Sequence, residues 1–273
     1  MDTIERCVMN LKELEVLRHE CLREVLYRSR EANAGHIGTS LSCLDILVYL
    51  YFNRMREGDR FVLSKGHAAL AFYVVLSKAG IIDASLLDTF YANGTLLAAH
   101  PPCSRRLPGV DFGTGSLGHG LSLANGFAFS GHFTGRKNNV YCLLSDGDCD
   151  EGSTWEAALF AAHHRLENLT VIVDNNNLQG FGRTDEVMNL EPLADKWRSF
   201  NFSVAVAARG NDFASIDAAF AELDRTEEKK PRCLIARTVK GSGVSFMENR
   251  LEWHYLPMSD EQYARAIEEI ERT

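Results

Sequence analysis

Two short apolar runs, each followed by polar residues, constrain the fold of this chain more than any other stretch. Residues 140–144 are apolar and stop just before Asp146, and residues 170–173 run into Asp174 and Asn176. A helical pattern separates the two runs, so we expect two buried parallel strands joined by a crossover helix. The carboxyl ends of parallel strands meet at one edge of a sheet, where ligands bind. Asp146 and Asn176 should therefore lie close together at that edge.

The residue types at this edge are typical of a metal site that carries a phosphorylated ligand. A carboxylate, an amide oxygen and a backbone carbonyl, together with phosphate oxygens, form the all-oxygen environment that Mg²⁺ or Ca²⁺ prefers. Gly147 lets the backbone approach a phosphate closely. Asp-Gly and Asn-Asn pairs also form ordinary turns. Here, however, the two pairs follow two neighbouring predicted strands that one crossover helix connects, and this combination favours the ligand site.

Composition narrows the classes of function. The 273 residues carry a formal net charge of -8, which argues against general nucleic-acid binding because that needs a basic footprint. The seven cysteines are odd in number and scattered, with no Cys-x-x-Cys pair, so neither a disulfide framework nor a structural zinc site is expected. No apolar run approaches the roughly 20 residues of a membrane span, and the N-terminus does not resemble a signal peptide. The default expectation is a cytoplasmic protein.

The rest of the chain alternates between predicted helices and strands. Apolar residues recur every three or four positions from Ile4 to Leu26, which predicts a long amphipathic helix. Ser259 and Gln262 have the spacing of a capping box for a last helix. The alternation predicts an α/β fold, a mainly parallel sheet with helices on both faces, as one domain over residues 1–273. Further helices are expected over 41–51, 67–78, 113–131 and 215–223, and further strands over 59–63, 203–207 and 233–239.

The stretch that follows the first strand resembles the metal motif of transketolases, which are thiamine diphosphate enzymes. The likeness is carried by Ser145-Asp146-Gly147, by Asp148-x-x-Glu151-Gly152-x-x-Trp155-Glu156-Ala157 and by Asn175-Asn176-Asn177-Leu178. It implies that Asp146, the Asn176 side chain and the Leu178 carbonyl bind the metal, and that Gly147 lies against the diphosphate. It also implies that Glu151 and Glu156 join a hydrogen-bonded network linking two active sites, although acids are favoured at a helix start in any case.

Further segments resemble transketolases in the same order along the chain. The resemblance implies that His67 and His254 contact the diphosphate and the reacting ketose. It implies that His36 and His100 hold and deprotonate hydroxyls of the donor, a task that suits imidazole near neutral pH. In the same way, Gly115, Ser116 and Leu117 would present backbone groups and an apolar edge to the aminopyrimidine ring. The matching segments are 35–42, 59–68, 100–101, 113–118 and 253–254.

The chain departs from the transketolase pattern at three positions. Ser145 replaces a glycine, Ile37 replaces a proline, and Tyr255 replaces the glycine that follows His254. We expect Ile37 and Tyr255 near the substrate mouth, where they put the usual sugar substrates in doubt.

Two basic segments also bear on the expected site. Lys240 begins a Lys-Gly-Ser-Gly stretch that resembles a Lys-Gly-Lys-Gly stretch of these enzymes and is expected to cover the site. Arg105 and Arg106 could meet a sugar phosphate, or form a solvated pair.

The resemblance covers only the first domain of a transketolase. It implies the N-terminal subunit of a split, two-gene enzyme that transfers a two-carbon ketol unit from a ketose phosphate to an aldose. A separate C-terminal, pyrimidine-domain subunit would supply the activating glutamate, in a heterotetramer of two plus two chains. Two alternatives stay open: the alpha subunit of a 2-oxo-acid dehydrogenase, and a non-catalytic binding or regulatory protein that keeps the fold.

Overall fold

A five-stranded parallel sheet forms the centre of the protein in the computed structural model, which describes residues 8–103, 106–135 and 138–272. The spatial order is β1-β2-β3-β5-β4, and every neighbouring pair is parallel. The predicted α/β fold class is confirmed, and the two apolar runs of the sequence form adjacent strands in the middle of the sheet. The strands are β1 (Arg60–Leu63), β2 (Val140–Ser145), β3 (Leu169–Asn175), β4 (Ser203–Ala207) and β5 (Arg232–Arg237).

Helices cover both faces of this sheet. Alternate residues of β2 belong to different cores: Tyr141 and Leu143 pack on one face, and Cys142 and Leu144 on the other. This follows from the two-residue repeat of a strand, and it explains why the central strands are apolar throughout. The helices are α1 (Leu11–Glu31), α2 (Ile37–Tyr49), α3 (Ala69–Lys78), α4 (Gly120–Thr134), α5 (Gly152–His163), α6 (Thr184–Val187), α7 (Leu193–Ser199), α8 (Phe213–Asp224) and α9 (Asp260–Glu271).

The first and last helices both begin at capping boxes. The side chain of Asn10 accepts from the backbone N–H of Glu13 at 3.1 Å, and Glu13 accepts in return from Asn10 N at 2.7 Å. The helix therefore starts at Leu11, so its predicted extension through Val8 is wrong, and Ile4 lies outside the described residues. The capping box predicted at Ser259 and Gln262 is confirmed.

The helix predicted over 113–131 begins only at Gly120 and extends to Thr134. Gly118 has a φ of +79°, which interrupts a right-handed helix, and its N–H is bound by a side chain from another segment. Residues 113–119 therefore form an irregular loop above the sheet edge. None of the helices within the described ranges is long and apolar enough to cross a membrane.

Candidate active site

A cavity of about 350 Å³ opens at the carboxyl ends of β1, β2 and β3. Most residues singled out in the sequence line this one cavity, although they come from segments spread over more than 200 positions. Ser116 and Glu156 are exposed and do not line it. The predicted residues that do line it are His36, His67, His100, Gly115, Leu117, Asp146, Gly147, Glu151, Asn176, Leu178 and His254.

Oxygen atoms form the floor of the cavity. Ser145 and Asp174 are paired in the sheet, so Asp146 and Asn176 leave the ends of neighbouring strands one residue apart in register. Asp146 is buried and accepts from Thr184 Oγ1 at 3.0 Å, while Asn176 Oδ1 accepts from the Leu178 N–H at 3.0 Å. Burial, reinforced by the negative charge of Asp174, raises the pKa of Asp146 to about 6.

A fully buried ion pair lies directly below this floor. Lys65, which follows β1, pairs with Asp174 on β3, and both side chains are wholly inaccessible to solvent. Burial alone would lower the pKa of Lys65, but Asp174, together with Cys43 and Asp146, outweighs burial and raises it. Ser42 donates to Asp174 at 2.7 Å and accepts from Asn176 Nδ2 at 3.0 Å, so the pair and the floor share one network. No role was predicted for Lys65 from the sequence. Its position two residues after an apolar strand could have indicated a charged group at the edge of the sheet.

Four imidazoles converge above the floor. The ring of His36 lies in the middle, with its centroid 5.8 Å from that of His67, 5.6 Å from His100 and 5.4 Å from His254. Burial and neighbouring positive charges lower the pKa of His36 to about 4 and that of His254 to about 3, and burial also lowers the pKa values of His67 and His100. All four rings are therefore neutral at pH 7, and each has one donor N–H and one acceptor nitrogen.

His36 is held in a strained backbone conformation. It precedes α2 with a φ of +64°, in the left-handed region that costs a non-glycine residue about 1 kcal/mol or more. Its N–H donates to the carbonyl of His254 at 3.1 Å, which fixes the two histidines to each other. Such strain at a cavity wall is typical of a position fixed for function.

Lys240 lies inside the cavity, not over it as a cover. Its ammonium is 2.7 Å from the Leu178 carbonyl and 2.8 Å from His254 Nδ1. Burial and the charge of Lys65 lower the pKa of Lys240 to about 8, so it remains mainly protonated at pH 7. Lys240 therefore donates to Nδ1, and the proton of the neutral His254 ring sits on Nε2.

Asp148 joins three of the segments that line the cavity. Its carboxylate accepts from Ser64 Oγ at 2.7 Å, from Gly118 N at 2.8 Å and from Ser145 N at 2.8 Å. It thus links the ends of β1 and β2 to the loop before α4. Asp148 belongs to the transketolase-like motif, but its position there did not reveal this role.

The residues expected at the edge of the site have different outcomes. Ile37 is fully buried in the core under α2, so its predicted place at the substrate mouth is wrong; the first turn of the helix points it inward. Tyr255 does line the cavity. Arg105 lies outside the described residues, and Arg106 is exposed and does not line the cavity.

The floor fits a hard divalent cation. Its donors are one carboxylate, one amide oxygen and one carbonyl, the ligand types that such a cation prefers. The carbonyl also accepts a hydrogen bond from the ammonium of Lys240 at 2.7 Å. Across the described ranges, no group of three or more His, Cys, Asp or Glu has the arrangement of a metal site, so a ligand set of the zinc type is not seen there. Beside the floor, a Cβ on Gly147 would meet the Leu117 side chain at 3.1 Å, so glycine keeps this part of the cavity open without a shift of Leu117.

Comparison with known proteins identifies the domain. The family model described as transketolase, thiamine diphosphate binding domain, matches residues 25–270. The chain is 41% identical over 258 residues to one subunit of the apulose-4-phosphate transketolase of Phocaeicola vulgatus, covering 91% of this chain and 89% of that protein. It is 38% identical over 270 residues to a 6-deoxy-6-sulfo-D-fructose transketolase subunit from a Clostridium species, covering 95% of each.

Solved transketolases share the fold. The enzyme of Campylobacter jejuni superposes with a TM-score of 0.87 at 27% identity, over 96% of this chain and 43% of that chain. The enzyme of Leishmania mexicana gives 0.86 at 26% identity, over 97% of this chain and 42% of that chain. The protein thus corresponds to about two-fifths of those longer chains, and it belongs to the transketolase family as a thiamine diphosphate-binding domain.

Proposed function

We propose that this chain is the thiamine diphosphate-binding subunit of a two-subunit transketolase, which moves a two-carbon ketol unit from a ketose phosphate to an aldose. The observation that carries the proposal is the convergence of four neutral imidazoles above an oxygen-lined floor. A polyhydroxylated donor needs several such contacts, whereas pyruvate offers no hydroxyls to them, so the geometry favours sugars over 2-oxo acids. Relatives named as separate transketolase subunits match nearly this whole chain.

The cofactor and metal are assigned to the floor and the adjacent loop. Asp146, Asn176 and the Leu178 carbonyl would hold Mg²⁺ or Ca²⁺, and Gly147 would lie against the diphosphate. Gly115 and Leu117 would contact the aminopyrimidine ring; Ser116 would contribute backbone only, since its side chain is exposed. Thiamine diphosphate supplies the carbanion and the electron sink for cleavage of a carbon–carbon bond next to a carbonyl.

The histidines move protons and orient the sugar. His36 and His100 would accept the proton of a donor hydroxyl, since burial keeps both rings neutral before the transfer. His254 would donate from Nε2 to a sugar oxygen, since Lys240 occupies Nδ1. His67, whose ring lies 5.5 Å from that of His254, would contact the diphosphate and the reacting ketose.

A second subunit completes the site in this proposal. Whole transketolases are more than twice as long as the part matched here, and we assign the missing activating glutamate to a C-terminal, pyrimidine-domain subunit. Two chains of each kind would form a heterotetramer, in which Glu151 and Glu156 would link the two sites. The six described cysteines are all unpaired, which is usual in the cytoplasm, the location we propose.

Reconstitution tests the proposal directly. We expect the chain and a pyrimidine-domain subunit together to transfer ketol units from a ketose phosphate, with little transfer by the chain alone. Pyruvate should not serve as donor. Full ketol transfer by the purified chain alone would refute the division into two subunits, and turnover of pyruvate would favour a 2-oxo-acid dehydrogenase subunit.

Asp146→Ala tests the metal assignment. It should abolish Mg²⁺-dependent binding of thiamine diphosphate to the reconstituted pair while the chain keeps its fold. Asp150→Asn is the matched control, because Asp150 lines the same cavity and has no assigned ligand role. Retained Mg²⁺-dependent affinity in Asp146→Ala would contradict the assignment.

A further inference from the structure

Tyr255 forms one wall of the mouth of the cavity. Its ring centroid lies 4.6 Å from that of His254 and 6.4 Å from that of His36. The side chain is 54% exposed, so it has one side toward the two imidazoles and another toward solvent. The ring therefore lies beside both imidazoles and lines the same cavity.

Backbone contacts fix the place of Tyr255 beside the cavity. On the backbone side, a Cβ on Gly35 would lie only 2.3 Å from the Tyr255 carbonyl oxygen, so the two main chains are in direct contact. The Tyr255 N–H donates to the Glu252 carbonyl at 3.1 Å, within the 3-10 turn Leu251–His254. The main chain at Tyr255 is therefore fixed beside the start of α2.

The phenol end reaches the opposite rim. A Cβ on Gly180 would lie 2.5 Å from the phenol oxygen, so the hydroxyl rests against bare backbone there. Gly180 belongs to a tight hairpin in which Gln179 N donates to the Gly182 carbonyl at 2.9 Å. The ring thus spans the entrance from the start of α2 to the hairpin that follows β3.

We propose that Tyr255 determines substrate specificity by limiting the length of sugar that fits beyond the transferred two-carbon unit. This inference rests on the proposed ketol transfer. The ring occupies the space just past His36 and His254, so the site takes short or compact polyhydroxylated aldoses and resists extended ones.

Acceptor length is the variable to test. The reconstituted pair is assayed for kcat/KM with glycolaldehyde, glyceraldehyde, erythrose and ribose 5-phosphate, using wild type, Tyr255→Ala and Tyr255→Phe. Tyr255→Ala should raise the ratio of ribose 5-phosphate to glycolaldehyde by at least about tenfold, since a pocket wall that excludes a few carbons discriminates by that order. Tyr255→Phe keeps the ring and should keep the wild-type ratio.

Leu256→Ala is the matched control. Leu256 is the next residue, is 56% exposed and does not line the cavity, so its removal should leave every ratio unchanged. An active pair whose acceptor ratio is the same in Tyr255→Ala and wild type would overturn the inference and leave the proposed function intact. Weakened association with the pyrimidine-domain subunit, with no change in ratio, would also overturn it, because Tyr255 would then be an interface residue. A wild-type pair that transfers to no acceptor would count against the proposed function and this inference together.

Discussion

Asp148 offers the sharpest test of how the site is built. The side chain is wholly buried, and each carboxylate oxygen accepts from one backbone N–H: Oδ1 from Gly118 and Oδ2 from Ser145. The hydroxyl of Ser64 adds a further bond to Oδ1. Both oxygens therefore need to be acceptors, and no neutral isostere satisfies the two backbone donors at once.

The cost of removing the carboxylate follows from these bonds. In Asp148→Ala two backbone N–H groups lose their partner inside the protein, and each buried unsatisfied donor costs about 1–3 kcal/mol. We expect the free energy of unfolding to fall by about 4 kcal/mol. In Asp148→Asn the amide NH₂ must face one of the two N–H groups, so a loss of about 2–3 kcal/mol is expected despite the matching shape.

Urea denaturation followed by circular dichroism measures these differences. Asp150→Asn is the control, because burial raises the pKa of the Asp150 carboxyl and a neutral amide should cost less than about 0.5 kcal/mol there. Since Asp148 also fixes the loop at Gly118, its variants should bind thiamine diphosphate more weakly in the reconstituted pair. A loss below about 1 kcal/mol in Asp148→Ala would refute this account of the buried carboxylate.

Three further changes probe the surroundings of the floor. Lys65→Met leaves the Asp174 charge buried without its partner and should cost about 3–5 kcal/mol in urea denaturation, part of which Asp174→Asn on the same background should restore. Gly66→Ala places a Cβ 2.7 Å from the Thr114 carbonyl oxygen, so it should displace the loop and lower cofactor affinity in titrations, more than it lowers stability. The pKa of Asp146 is raised to about 6 in the folded protein and is about 4 in the unfolded chain. Protonation of Asp146 at low pH should therefore stabilise the folded state of the metal-free chain. The chain should then lose up to about 3 kcal/mol of stability as pH rises from about 4 to above 6. Unfolding measured across that range should show a flatter profile in Asp146→Asn, and an equal slope in both proteins would contradict the assigned pKa.

The strands and the acid-and-amide edge were predictable because their signals are local. Residues 140–144 are apolar throughout, as a strand buried on both faces must be, and polar residues mark the point where it leaves the sheet. Asp146 and Asn176 follow directly from that pattern. The ends of helices were less predictable: small residues over 113–119 are compatible with a helix, but Gly118 has a left-handed backbone and its N–H is committed to Asp148.

The sequence by itself determined the parallel sheet, the oxygen donors at its edge and the presence of four histidines at turns, since periodicity and strand ends are properties of neighbouring residues. Only the tertiary structure decided that His36 lies between His67, His100 and His254, that Lys240 lies inside the cavity, and that Tyr255 reaches Gly180 across its mouth. Those contacts join segments far apart in the chain. Their geometry depends on how the helices pack on the sheet, and no local pattern of residue types records that packing.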